Sequence, residues 1–339
     1  MRPSSTGSGS FKPRSGLSQT AKVPRVIKHI ILQNSPEYLA ACPNWARRDV
    51  LWTAKLEKNF ELTNLHVGHN CTVELATLRG ASKSSSSKAA KVVIKSFSRQ
   101  TLLARPSLQA RVRNEYEIQS ILQHPNIVPL LVGVESKTEV ALVMELQRAD
   151  LHAALADPAS SDTMSEPSAR AVLFDTLSAL QHMHSQDVVH RDVKSENIFQ
   201  ALDGTWKLGD LGSAVDLGAG PPAQLEGTLQ FAAPEYAALW SKRSAAQLMS
   251  ATTSKIDIWG VGAVACDILL GAPPFWSDSE APTAAEQAGS LAAVTSTDPW
   301  VPPPGLAPAA ADFISRALHK DPTLRATADE LLQHPWLLV

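Results

Sequence analysis

The run His190-Arg191-Asp192-Val193-Lys194-Ser195-Glu196-Asn197, followed by Gly209-Asp210-Leu211-Gly212, gathers residues able to do chemistry. Asp192 is a carboxylate able to receive or orient a hydroxyl proton, and Lys194 stands two positions on, able to steady charge in transfer. Asn197 and Asp210 offer the oxygen ligands that Mg²⁺ prefers. Together these are the catalytic half of a phosphoryl-transfer site. A charged surface turn is the bland alternative, and it leaves the spacing of so many fixed positions unexplained. His190 invites assignment as a general base, but we read it as a packing and hydrogen-bonding residue.

Such a site needs cations and backbone donors around phosphate oxygens, because the chemistry is mostly positioning and charge neutralisation. Lys95 ends the β-branched run Val92-Val93-Ile94 and is the candidate grip on the α- and β-phosphates. A lone strand lysine usually snorkels to solvent; its place upstream of the catalytic run favours function. Its orienting partner is Glu115, with Glu117 as rival, in Asn114-Glu115-Tyr116-Glu117-Ile118.

The elements that must carry these residues change character along the chain. Alternation begins at Phe60-Glu61-Leu62, reaches Val73-Glu74-Leu75-Ala76, and breaks over the Ser-rich stretch from Gly80 to Lys88, which reads as a hairpin loop. Val92–Lys95 reads as a central strand, Leu108–Leu122 as a helix and Val140–Leu146 as another strand. Beyond Asp150 the pattern turns helical: Ala169–His184 has an apolar stripe, and Ile256–Leu270 is nearly all apolar and so buried. Strands first and helices later predict an α+β, bilobal arrangement with the catalytic residues at the junction.

The chain has 339 residues, ample for a core, and a net charge of −2. Residues 1–36 carry six basic residues and no acid, with Ser and Gly clusters, and read as a disordered basic tail. An organelle transit peptide has similar composition and is the alternative. Trp45–Lys58 reads as a short helix or clasp, so 1–58 is expected to be an extension and 59–339 the catalytic domain, with lobes of about 59–145 and 148–339. Val26–Leu32 is interrupted by Lys28 and His29 and cannot span a membrane. Three scattered cysteines, Cys42, Cys71 and Cys266, suggest neither a disulfide framework nor a zinc site and fit a reducing compartment. Neither a nucleic-acid nor a membrane partner is expected, and cytoplasmic or nuclear residence is the default.

From Phe60 to Leu338 the chain resembles the eukaryotic protein kinases, whose pattern H-R-D-x-K-x-x-N then D-[FL]-G is met by the residues above. Lys194 matches the serine/threonine version. Gly227-Thr228 and Ala233-Pro234-Glu235 resemble the substrate platform and the A-P-E end of the activation segment. The resemblance implies an ion pair between Glu235 and Arg325, and Asp257 bracing the catalytic loop. Within the family the chain looks most like the Aurora kinases, through Glu115-Tyr116-Glu117-Ile118-Gln119-Ser120 and His124-Pro125-Asn126-Ile127, while Asn197-Ile198-Phe199 is similar to the NIMA-related kinases. The likeness favours Glu115 over Glu117 as the partner of Lys95. It implies a nucleotide site including Gly68, Val73, Val93 and Phe199, with Met144 at the back of the adenine pocket and the Glu145–Gln147 hinge holding the base. ATP and Mg²⁺ are the implied cofactors and proteins the implied substrates.

The chain departs from the family at several positions, among them Val93 for the usual alanine and Leu211 for phenylalanine. The glycine loop G-x-G-x-x-G-x-V aligns with His66-Val67-Gly68-His69-Asn70-Cys71-Thr72-Val73, so only the middle glycine survives. Side chains there stiffen the loop and predict weaker nucleotide binding. Residues 237–254 are a longer connection than usual and are expected to form a surface loop with a partner or regulatory role. Between Asp210 and Gly227 the only hydroxyl is Ser213, so activity is expected without activation-loop phosphorylation. Glu226 or Asp216 pairing with Arg191, or a protein partner seating the helix around Gln119, is the expected substitute. The rival reading is a kinase-shaped scaffold without activity: the degraded loop favours it, and the complete set of charged catalytic residues opposes it. A small-molecule kinase would leave the substrate platform unexplained.

Overall fold

A computed structural model describes residues 50–52, 60–68, 70–78, 91–136, 138–156, 164–220, 222, 224–240, 245–276 and 283–339. The basic tail and the Ser-rich hairpin loop lie outside the described residues.

The first lobe is a six-stranded sheet. In chain order its strands are β1 (Val50–Trp52), β2 (Phe60–Val67), β3 (Thr72–Leu78), β4 (Lys91–Ser98), β5 (Leu130–Glu135) and β6 (Glu139–Glu145). They lie in the order β1-β5-β6-β4-β3-β2. The apolar run Val92-Val93-Ile94 therefore does occupy an interior strand. Val92 and Ile94 bury against Phe60, Ala76, Val134, Ala141 and Val143, as period-two alternation requires of a strand covered on one face. β1 pairs in parallel with β5, Val50 opposite Gly133. A strand of this lobe thus comes from the stretch expected to be a clasp within the extension. Parallel pairing with a partner some 80 positions away leaves no local signature.

Two helices lie between β4 and β5. α1 (Arg99–Ala104) is capped by Ser98, and α2 (Pro106–Ile121) begins on Pro106, where the missing N–H is harmless. Val112, Glu115, Tyr116 and Gln119 of α2 are all buried. Their i, i+3, i+4, i+7 spacing marks one face of the helix, and two of the four are polar.

The second lobe opens with β7 (Ala149–Asp150) and α3 (Leu151–Leu155), capped by Asp150 Oδ1. α4 (Glu166–His184) follows, then β8 (Val188–Val189), β9 (Ile198–Gln200), β10 (Trp206–Leu208) and β11 (Val215–Asp216). Further helices are α5 (Pro234–Ala237), α6 (Ala245–Ala251), α7 (Ser254–Leu270), α8 (Ala284–Thr295), α9 (Pro308–Ala317) and α10 (Ala328–Leu332). α4 buries Val172, Leu173, Leu177, Leu180 and Met183 against a core shared with α7, α9 and α10. α7 is buried nearly all round, consistent with its almost uniformly apolar sequence. Instead of one continuous surface loop, part of 237–254 folds as the helix α6, for which Ala-Ala-Gln-Leu-Met-Ser-Ala has the propensity. Among the described residues no helix is long and apolar enough to cross a membrane.

Candidate active site

Three supports position the catalytic run. From α7, Asp257 accepts the backbone N–H of His190 and of Arg191, each at 2.8 Å, and lies 2.8 Å from His184 Nε2. α7 can come this close because Gly260 faces Val193: a Cβ there would fall 2.8 Å from Val193 Cβ and 2.9 Å from its carbonyl oxygen. The imidazole of His190 is the second support. Its Nδ1 accepts the Asp192 amide (3.2 Å), which leaves Nε2–H to donate to the Gly209 carbonyl (3.0 Å). The ring thus links the catalytic run to the segment bearing Asp210 and is wholly buried. Third, Asn197 Nδ2 donates to the Asp192 carbonyl (2.8 Å) and to Asp192 Oδ2 (3.1 Å).

Lys194 Nζ sits 3.3 Å from Asp192 Oδ2 and donates to Thr228 Oγ1 at 2.8 Å. Asp192 Oδ1 is buried with no hydrogen-bond partner among the described residues.

Opposite this run, Lys95 bridges two carboxylates, 2.7 Å from Glu115 Oε1 and 2.8 Å from Asp210 Oδ1. Glu117 pairs instead with Arg113 on the helix surface. Burial alone would lower the Lys95 pKa, but Glu115 and Asp210 outweigh it and raise it, so the ammonium stays charged. Burial pushes Asp210 upward; Lys95 nevertheless holds it down at about 2. Glu115, enclosed in the protein, is raised by burial against the pull of Lys95. Asp210 adopts a left-handed backbone, φ 52°, and Arg191 another, φ 66°. Such conformations are uncommon for side-chain-bearing residues and concentrate at functional sites. The Asp210 side chain is 45% exposed, leaving it open toward the cleft.

The segment expected to cover the phosphates is the β2–β3 turn, closed by Gly68 N–H donating to the Cys71 carbonyl at 2.9 Å. Asn70 in this turn accepts from Arg105 at 2.7 Å. Cys71 faces the Lys95 group, and its thiol is raised by burial. Val73 lies opposite Lys95, and Val93 opposite Met144, in the sheet register. Phe199 packs on Gly209, which has no room for a Cβ. At the strand-to-helix connection Gln147 Nε2 donates to the Glu145 carbonyl (3.3 Å), and the Glu145 carboxylate meets Lys207 at 3.1 Å. Gln119 is buried. Its Nε2 donates to the Val128 carbonyl (3.0 Å) and reaches Met144 Sδ at 3.7 Å, while Oε1 finds no partner among the described residues.

The activation segment differs from expectation. Arg191 Nε donates to the Ser213 carbonyl (2.5 Å) and its NH1 to the Gln224 carbonyl (3.0 Å). Asp216 caps its own turn through the Gly218 amide. Glu226 pairs with Arg111 of α2, at 3.2 Å. Neither acid pairs with Arg191, which donates instead to these two backbone carbonyls. Arg111 was legible only as a residue one helical turn before Glu115. Gly227 (φ 107°) lets the chain pass against Arg191, where a Cβ would fall 2.5 Å from that residue's carbonyl oxygen. Glu235 and Arg325 form the two-bonded ion pair that the resemblance implied, at 2.7 and 2.9 Å.

The protein kinase domain model matches residues 69–337. The chain belongs to the protein kinase family. It is 32% identical to an Aurora kinase of Schizosaccharomyces pombe over 237 residues, 70% of this chain and 61% of that protein. It is 33% identical to the serine/threonine-protein kinase ste20 of Emericella nidulans over 226 residues, 66% of this chain and 24% of that one. With the serine/threonine-protein kinase pakA of Talaromyces marneffei it shares 32% over 228 residues, 67% of this chain and 33% of that one. The chain thus spans about three fifths of the Aurora relative and a third or less of the other two. Similar identity to all three places it no closer to one subfamily than to another. A kinase domain carries the expectation of ATP and a divalent metal, and the open carboxylate of Asp210 beside Asn197 is an oxygen donor set suited to a hard cation.

Proposed function

We propose that this chain is a serine/threonine protein kinase that moves the ATP γ-phosphoryl group, with Mg²⁺, to hydroxyls of protein substrates. The Asp192 carboxylate carries this reading, since it is an acceptor braced by Asn197 and set beside Lys194. A substrate hydroxyl seated there donates to this carboxylate, and Asp192 orients it and accepts its proton as the oxygen attacks phosphorus. Lys194 offsets charge on the group in flight, and its bond to Thr228 fixes it against the substrate platform. Asn197, with its Nδ2 committed to Asp192, has Oδ1 to offer a cation, and Asp210 offers its open carboxylate. Mg²⁺ bound there would neutralise phosphate charge. Glu115 holds Lys95 toward the cleft, where Lys95 can exchange Asp210 for the α- and β-phosphates. Val73, Val93, Met144 and Phe199 would line the adenine slot, with Gly68 over the phosphates and the Glu145–Gln147 backbone holding the base. Every charged group of the mechanism is present, which argues against a silent scaffold.

The finer proposal is a preference for basic sequences before the target residue. Glu196 is exposed on the catalytic run and able to pair with an arginine of the substrate. Asp150 is already half used in capping α3, so Glu196 bears most of this role. An activating protein partner at the first lobe is part of the same reading, by analogy with the Aurora relative.

Radiolabelled ATP with purified protein and a generic basic substrate is the test, with Asp192→Asn as control. Transfer should fall on the order of 10²-fold or more in the variant. Near-parental transfer by Asp192→Asn would overturn the assignment. A peptide array without arginine preference would remove the specificity proposal and leave the activity standing.

A further inference from the structure

Arg111 lies four residues before Glu115, on the same turn-to-turn ridge of α2. It touches two different parts of the site at once. Its Nε donates to the Gly212 carbonyl at 2.9 Å, within the loop that carries Asp210, and its NH1 meets Glu226 at 3.2 Å. The space over Gly212 is closed by Arg111, Asp210 and Glu115 together, each with an atom 3.3 Å from where a Cβ would be. Glu226 sits next to Gly227 and two residues from Thr228, the partner of Lys194. It is held from its own side too. Its amide contacts the Tyr236 hydroxyl (3.3 Å), and Gln224 donates to its Oε1. Beside Arg111, Asn114 donates to the Ala214 carbonyl at 2.7 Å. One guanidinium thus connects the helix that aims Lys95, the loop that presents Asp210 and the segment that forms the substrate platform.

We propose that Arg111 and Glu226 are positioning residues whose ion pair holds α2 and the activation segment in the transfer-competent arrangement, so that a permanent carboxylate does what an added phosphate would otherwise do. A segment is ordered by a negative group that pairs with nearby arginine, and Glu226 is such a group with only 11% of its side chain exposed. The segment has little else to modify. Ser213 is buried, and the Thr228 hydroxyl is bonded to Lys194. Arg191 donates to two backbone carbonyls of the segment, which fixes the segment's path.

This inference rests on the kinase reading for its activity readout, so the experiment carries a second readout that does not. Full-length protein is made with a co-expressed phosphatase, checked by intact mass, and compared with Glu226→Gln, Arg111→Gln and the double variant. Steady-state kinetics and hydrogen exchange across residues 211–228 are measured on each. The unphosphorylated parent should keep its kcat within about twofold of untreated enzyme, and Glu226→Gln should lower kcat about tenfold, the size expected of a residue acting through a coupled network. KM for ATP should move less than kcat, and exchange across 211–228 should rise. The double variant should be no slower than the slower single one, because both remove one bond. Should Glu226→Gln lose its cooperative unfolding transition, Arg111→Gln reads the same bond from the helix side. Loss of activity on dephosphorylation, unchanged kcat and exchange in Glu226→Gln, or fully multiplicative losses would each overturn the proposal. If the parent transfers no phosphate yet exchange rises in Glu226→Gln, the ion pair stands and the kinase reading falls.

Discussion

Replacing Glu235 by Ala isolates one buried charge. Arg325 has a side chain 0% exposed, with two bonds to the Glu235 carboxylate, one to the His319 carbonyl (2.9 Å) and one to the Lys255 carbonyl (2.8 Å). Its guanidinium also lies 5.1 Å from the Trp259 ring centre. Removing the carboxylate leaves the cation enclosed, and breaking a buried pair from one side costs about 3–5 kcal/mol. Two features pull toward the lower figure. Carbonyl oxygens and the Trp259 face still stabilise the cation, and Glu235 is 19% exposed, so water can enter where it stood. We therefore expect about 3 kcal/mol, or a Tm lowered by about 6–12 °C at the sensitivity usual for a folded unit of this size. Circular dichroism melting and urea unfolding both read it. Glu235→Ala with Arg325→Met should cost less than the two single changes summed, because neither charge is then left alone. A Glu235→Ala melt within about 2 °C of the parent, or strict additivity, would show that the pair is not what holds this corner.

Three further outcomes follow from the site. Restoring glycine at His66 and Cys71 together should lower KM for ATP with kcat little changed, since the β2–β3 turn could then close on the phosphates; an unchanged nucleotide affinity by titration calorimetry would contradict this. Gly260→Ala should push Val193 and with it Asp192, lowering kcat by about 10²-fold, as misplacement near 1 Å can; a fully active variant would mean that α7 yields instead. The third concerns pH. Lys95 holds Asp210 at about 2, below its unfolded value, so the pair's stabilisation is whole above about pH 4 and fades as pH falls toward about 2. The stability difference between parent and Asp210→Asn in urea should therefore be flat from about pH 7 to 5, and decay within that range would refute the assignment of the shift to Lys95.

Much of this protein was legible without coordinates because its information is local. The β-branched run Val92–Ile94 and uniform apolarity over Ile256–Leu270 announce buried elements, and those segments fold as an interior strand and a buried helix. The spacing from Asp192 through Asn197 to Asp210 is short enough for residue types alone to disclose phosphoryl-transfer chemistry. Lys95 and Glu115 were readable as partners only through likeness to a family, since nothing in their own surroundings tells Glu115 from Glu117. Tertiary structure settled that choice: Glu115 faces inward to Lys95, and Glu117 faces solvent beside Arg113. It also decided what Glu226 does. The sequence shows an acid near the platform but not which arginine it meets, because Arg111 and Arg191 are both far along the chain and only packing selects between them. Arg191 donates to carbonyls of the segment's own backbone, and the turn at Gly227 brings Glu226 to the helix. β1 belongs with these. Three residues carry too little pattern to announce a strand, and its existence depends on the free edge of β5, formed by residues 130–135. Segments stabilised by their own periodicity are written in the sequence, whereas contacts between distant charges and edges exist only once the rest of the chain has packed around them.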